Sequence, residues 1–131
     1  MRIITAFAFL FTVLNTSAQG PVKHLGNVKT FKTGEQAVTF TTENGYASII
    51  DYAPSIIRVR ADKQKLKDDF SYAVVTKPVR TNVNISSDEK QVVIKTDSLK
   101  AIVQKNPFSI SFYNAENKLI NADETGLTTS W

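Results

Sequence analysis

The feature that most constrains this 131-residue chain is the alternating stretch from Val92 to Ile120. Val92, Ile94 and Thr96 fall on one face of an extended strand, with Gln91, Val93 and Lys95 on the other. Leu99, Ala101 and Val103 repeat the pattern, as do Phe108, Ile110 and Phe112 against Ser109, Ser111 and Tyr113. Asp97-Ser98 suits a tight turn, because both side chains can bond nearby backbone. Asn106-Pro107 makes the next break, since proline lacks a ladder donor and biases the residue before it toward an extended conformation. Asn114 to Asn117 closes the last hairpin. One local alternative competes. A helix capped by Ser98 would present Leu99, Ile102 and Val103 and stop at Asn106-Pro107. The period-two pattern on both sides favours an antiparallel meander with one buried face.

The chain ahead of this stretch carries the same signals. His24 to Phe31 reads as a first strand with a bulge or turn at Gly26-Asn27, and Val38 to Thr42 as a β-branched second. Asn44-Gly45 predicts a type I′ hairpin, whose central residues both need positive φ. Tyr46 to Asp51 returns, and Pro54 interrupts. Ile56 to Ala61 follows, with Ile57, Val59 and Ala61 expected inside and Arg58 and Arg60 on the wetter side. Asp62 to Asp69 is a charged connection, Phe70 to Val75 an apolar extended run, and Lys77-Pro78 an edge or crossover. Thr81 to Ile85 resumes, with Ser87 to Glu89 as its turn. About nine short, evenly spaced strands and no clear helix predict an all-β antiparallel sandwich or barrel.

Two segments stand apart. Residues 1–18 have a positive start at Arg2, an apolar run from Ile3 to Leu14 and a small exit residue at Ala18. That is the layout of a secretory signal peptide cut at Ala18-Gln19, with a run too short to span a bilayer comfortably. Residues 19–131 are then one exported domain, periplasmic or extracellular. Without cysteine it has no disulfide and no lipid attachment through an N-terminal cysteine. The tail, Asn121 to Ser130, is polar and ends in Trp131, which reads as a chain interrupted inside an element and the front of something longer.

Little in the sequence points to chemistry. The net charge of +4 is scattered, with Lys63, Lys65 and Lys67 bracketed by Asp62, Asp68 and Asp69. No basic stripe suited to nucleic acid results. His24 is the sole histidine, so a metal centre would need mostly carboxylates; Asp68-Asp69 and Asp123-Glu124 lack EF-hand spacing and read as solvated turns. No catalytic residue, metal ligand or cofactor is assigned. Arg58 and Arg60 project together from one strand and are candidates for gripping a carboxylate or another domain. Tyr46, Tyr52, Tyr72, Tyr113 and Trp131 offer flat amphipathic faces that could stack on sugars, though packing explains the tyrosines equally well. Asn84-Ile85-Ser86 fits the glycosylation triplet.

The runs GNVKTFKTGEQAVTFTTENGYASIIDYAPSIIRVR, DDFSYAVVTKPV and VVIKTDSLKAIVQKNPFSISFYNAENKLINADE together resemble the N-terminal region of secreted bacterial glycoside hydrolases of family 31. These are α-glucosidases and α-xylosidases, and the likeness is nearest to members of the Bacteroidetes type. It covers nearly all of Gly26 to Trp131 and rests on sandwich features, without a catalytic signature. The resemblance implies a mutarotase-like β-sandwich, incomplete at its C-terminal end, preceding a (β/α)8 barrel. A loop of such a sandwich can reach the rim of the barrel's pocket for an α-linked oligosaccharide, which makes Arg58, Arg60 and Trp131 the candidates for rim or domain contact. The family's catalytic aspartates belong to the barrel, and nothing in this chain matches their motifs. The alternative is a free-standing exported sandwich that binds carbohydrate or a surface partner. An exposed row of aromatics on one sheet face would favour it, and an apolar patch or open edge shaped for a neighbour would favour the first.

Overall fold

The structure, a computed structural model, describes residues 22–68, 72–73, 76–79, 81–124 and 129–131. Within them nine strands build two antiparallel sheets and no helix. The first sheet holds β1 (Val28–Thr33), β2 (Ala37–Thr42), β3 (Tyr46–Ala53) and β4 (Ile56–Asp62). The second holds β5 (Asn84–Ser87), β6 (Gln91–Lys95), β7 (Leu99–Lys105), β8 (Phe108–Asn114) and β9 (Leu119–Ala122). Each sheet keeps chain order, so both are meanders joined by hairpins.

Period-two alternation becomes the core directly. In the first sheet, Val38 pairs with Ile49 and Phe40 with Ala47, and all four are buried. In the second, Val92 pairs with Val103, Ile94 with Ala101, and Val103 with Ile110, again all buried. Side chains on one face of paired strands lie beside each other, so these pairs form two apolar surfaces that close on one another. Phe40 and Phe108 meet edge-to-face across the layer, with ring centroids 5.5 Å apart. Residues 99–103 lie within strand β7, so the helical alternative is set aside.

The inward faces of β6, β7 and β8 are those expected, but Phe112 is only half buried because it lies where the two sheets part. On β4 the facing was right and the burial was not. Ile57, Val59 and Ala61 pair with the buried Asp51, Ile49 and Ala47, which places them on the inner side. Val59 nonetheless keeps 37% of its surface exposed, because β4 is the sheet's edge and is incompletely covered. Arg58 and Arg60 are half buried on the other face.

Turns account for the remaining departures. The Asn44-Gly45 hairpin is not type I′, since among the described non-glycine residues only Asn117 has positive φ, and Gly26 is the glycine that does. The Thr42 hydroxyl closes that hairpin, accepting from the Gly45 N–H at 3.1 Å and donating to the Gly45 carbonyl at 2.9 Å. Glycine is required at 45 for space: a Cβ there would lie 2.5 Å from the Asp62 carbonyl oxygen and 2.9 Å from the Trp131 ring. The first strand begins at Val28, after a turn at Gly26 (φ 76°) whose carbonyl accepts the Phe108 N–H. The turn after β6 is held by Thr96 instead of by Asp97 and Ser98. Its hydroxyl accepts the Leu99 N–H at 2.9 Å and donates to the Pro54 carbonyl at 2.9 Å, tying a hairpin of one sheet to a hairpin of the other. The strand expected from Thr81 starts at Asn84, and residues 63–68 are irregular as expected. The expected leader at 1–18 and most of the expected strand at 70–75 lie outside the described residues; within the latter, Tyr72 and Ala73 form a bend.

Candidate functional site

Arg58 and Arg60 point from β4 onto the outer face of the first sheet, where the chain following β4 folds back. The Arg58 guanidinium lies 5.7 Å from the centre of the Tyr52 ring, and Arg60 Nη2 donates to the Lys67 carbonyl at 3.0 Å. The Tyr52 hydroxyl donates to the Thr76 carbonyl, and the Val79 N–H donates to the Tyr52 carbonyl at 3.0 Å. Gln36 Nε2 then donates to the Val79 carbonyl at 2.7 Å. Arg60 therefore fastens Lys67 to this face, and Arg58 packs on the tyrosine that holds Thr76 and Val79 there. Leu66, half buried, lines a hollow with Tyr46 and Thr39 on the same face, and Ser48 is buried there.

Trp131 belongs to a different region. Its N–H donates to the Lys23 carbonyl at 3.0 Å and its carbonyl accepts from Lys23, while His24 bridges Ser130. The ring packs on the core near Gly45, with Lys63 Nζ 5.6 Å from its centre. The last residue is thus half buried instead of stranded. The N-terminal segment it pairs with is clamped in turn by the β2–β3 hairpin. Asn27 N–H donates to Glu43 Oε2 at 3.0 Å, and Asn44 Nδ2 donates to the His24 carbonyl at 2.8 Å. Arg58 and Arg60 lie on the outer face of the first sheet and Trp131 packs on the core near Gly45, so the fold does not gather the three candidate residues into one site.

Four carboxylates accept from backbone amides. Glu43 takes Asn27, Asp62 takes the Gln64 N–H at 2.9 Å, and Asp123 takes the Ile110 N–H at 2.8 Å. Asp88 accepts from Gln91 at 2.8 Å and Lys90 at 2.7 Å, and these backbone donors hold its carboxyl below the usual carboxylate range. Among the described residues no group of three His, Asp or Glu is arranged to hold a metal ion. Asp51 differs from these four. It is fully buried on the inner face of β3, and neither carboxylate oxygen has a hydrogen-bond partner among the described residues. Burial pushes its carboxyl above the ordinary range; the Gln36 side chain opposes the rise, and Asp97 adds to it.

Among the described residues the aromatics do not form an exposed row. Tyr46 and Tyr52 lie under the covering segment, and Tyr113 lies on the outer face of the second sheet beneath Lys100 Nζ, 4.7 Å from its ring centre. Tyr72 is 92% exposed and off both sheets. The exposed Asn84 of the glycosylation triplet is on the edge strand β5. What the molecule does expose is an apolar seam. Ile56 and Ile57 of β4, Leu99, Phe112 and Ile120 of β9 line a groove of about 390 Å³ between the sheet edges. Periodicity marked these residues as apolar but held no signal that the sheets diverge here. No helix among the described residues is long and apolar enough to cross a membrane.

This architecture is shared with known proteins. Alpha-glucosidase 2 of Bacillus thermoamyloliquefaciens is 25% identical over 100 residues, which are 76% of this chain and 13% of that protein. A GH31 dextranase of Flavobacterium johnsoniae, solved with isomaltotriose, superposes with a TM-score of 0.67 at 21% identity, over 78% of this chain and 13% of its own. The cycloalternan-forming enzyme of Listeria monocytogenes, solved with a pentasaccharide, gives 0.66 at 12% identity, over 85% and 10%. The chain thus spans about an eighth of the curated relative's length. Residues 46–130, from the start of β3 to the bridge beside Trp131, match the glycosyl hydrolase 31 N-terminal galactose mutarotase-like domain, and the chain belongs to that family.

Proposed function

We propose that this chain is the non-catalytic N-terminal domain of an exported α-glycosidase of family 31, of the Bacteroidetes type, supporting a downstream (β/α)8 barrel and part of its pocket rim. The family match over residues 46–130 carries the reading. The engagement of Glu43, Asp62, Asp88 and Asp123 with backbone amides supports it, because glycoside hydrolysis needs two carboxyl groups free to face the scissile bond. The similar proteins are an α-glucosidase, a dextranase and a cycloalternan-forming enzyme, so the substrate class proposed is an α-linked oligosaccharide.

Residues 19–131 assayed against aryl α-glucosides and α-xylosides should show no turnover, while a protein extended through the barrel should hydrolyse them. Turnover by the short protein, abolished by changing one Asp or Glu within it, would overturn the reading. Export rests on the leader at residues 1–18. N-terminal sequencing of protein recovered outside the cytoplasm should begin at Gln19, or be blocked if that residue cyclises. A mature chain retaining Met1 would defeat the export claim.

A further inference from the structure

We infer that the free edge of β9, with the groove beside it, is the docking surface for an extended segment of the same polypeptide that follows Trp131. The inference rests on the proposal that this chain is the front of a longer protein. In β9 all four residues, Leu119 to Ala122, are exposed, including Leu119 at 52% and Ile120 at 57%. Neighbouring residues on a strand point to opposite faces, so β9 shows apolar surface on both sides. One edge of β9 pairs with β8, and no strand among the described residues pairs with the other. Proteins usually blunt such an edge with charge or proline, and the sequence LINA has neither. An unprotected edge with apolar residues on both faces is what an interior strand shows when its neighbour is removed.

The groove specifies the occupant's chemistry. Its walls are Ile56, Ile57, Leu99, Phe112 and Ile120, with only Ser55 and Asn121 polar and no charge among them. A sugar would leave its hydroxyls facing hydrocarbon there, whereas a strand satisfies the β9 edge with its backbone and fills the groove with alternate apolar side chains. The same polypeptide is a ready source. The curated relative extends well beyond the matched part, which is 13% of its length. Trp131 lies near the Asp62 carbonyl at one end of β4, and the groove opens beside Ile56 at the other. At about 3.3 Å per residue, roughly seven further residues span that distance.

The test is hydrogen exchange at the β9 amides in the 131-residue chain and in a version extended by the downstream coding sequence. Exchange at Leu119 to Ala122 should be fast in the short chain and roughly 100-fold slower or more in the long one. Ile120→Lys should leave the melting temperature of the short chain nearly unchanged and lower that of the long chain. Equal exchange in the two proteins would overturn the inference. So would a reading frame that stops at Trp131, or protection in the short chain that rises with its concentration, the mark of a second copy on the edge. Glycosidase turnover is read separately. A long chain with β9 protected but no turnover refutes the proposed activity alone, and turnover with β9 unprotected refutes this inference alone.

Discussion

Phe108→Ala is expected to cost about 3–5 kcal/mol of folding stability, the range for removing a buried aromatic ring. Phe108 is completely buried and meets Phe40 edge-to-face at 5.5 Å, so the substitution removes a large area of contact and one aromatic pair together. It opens the β7–β8 hairpin, where the Phe108 N–H also fixes the Gly26 turn. The neighbourhood is poorly placed to collapse into the void, because Phe40 is held from its other side by Phe31, with centroids 6.1 Å apart. Phe112→Ala, four residues further on the same face, removes a ring that already borders the open groove. Its cost should be about half as large, in proportion to the smaller area it takes from water. Urea denaturation of the three proteins would compare midpoints at a common slope. Equal losses for Phe108 and Phe112, or a Phe108 loss below about 1 kcal/mol, would contradict this placement of the core.

The contrast between those two phenylalanines also separates what the sequence could disclose from what it could not. Alternation places Phe108, Ile110 and Phe112 on one face, and it placed Val92, Ile94, Ala101 and Val103 with them. Which member of a face is covered depends on where the opposite sheet ends, and that is set by β4 and β9 being the edge strands of their two sheets. The same limit explains Val59, correctly turned inward and yet open to solvent. Turn chemistry was legible only in part. Asn44-Gly45 marks a hairpin, but its glycine answers to the Asp62 carbonyl and the Trp131 ring, groups distant in sequence. Arg58 and Arg60 share a face as expected. The contacts around them, Arg58 on the Tyr52 ring and Arg60 on the Lys67 carbonyl, depend on where Lys67, Thr76 and Val79 return to the sheet, which a charged run does not announce.

Asp51 yields the second large effect. Position 51 shares the inner face with Ala47 and Ile49, so the fold buries a carboxyl group with no partner at full hydrogen-bonding geometry, and the Gln36 side chain offsets only part of the cost. Its proton is bound more tightly in the folded chain than in the unfolded one, chiefly because burial penalises the charged form. A carboxyl raised in this way imposes no charge penalty below the unfolded value, near pH 4. Stability is lost as the pH rises through the raised folded value, because folding must then either keep the proton or bury the charge. Asp51→Asn keeps the shape and cannot ionise. It should match the parent near pH 4 and become progressively more stable than it toward pH 8, by on the order of 1–3 kcal/mol, the scale for an unsatisfied buried polar group. Asp97→Asn removes the like charge that adds to the shift, so it should recover a smaller part of the same difference. Denaturation midpoints of the three proteins across that pH interval decide the matter. Parallel profiles for parent and Asp51→Asn would mean that Asp51 ionises as freely in the folded chain as in water, and that a donor reaches it.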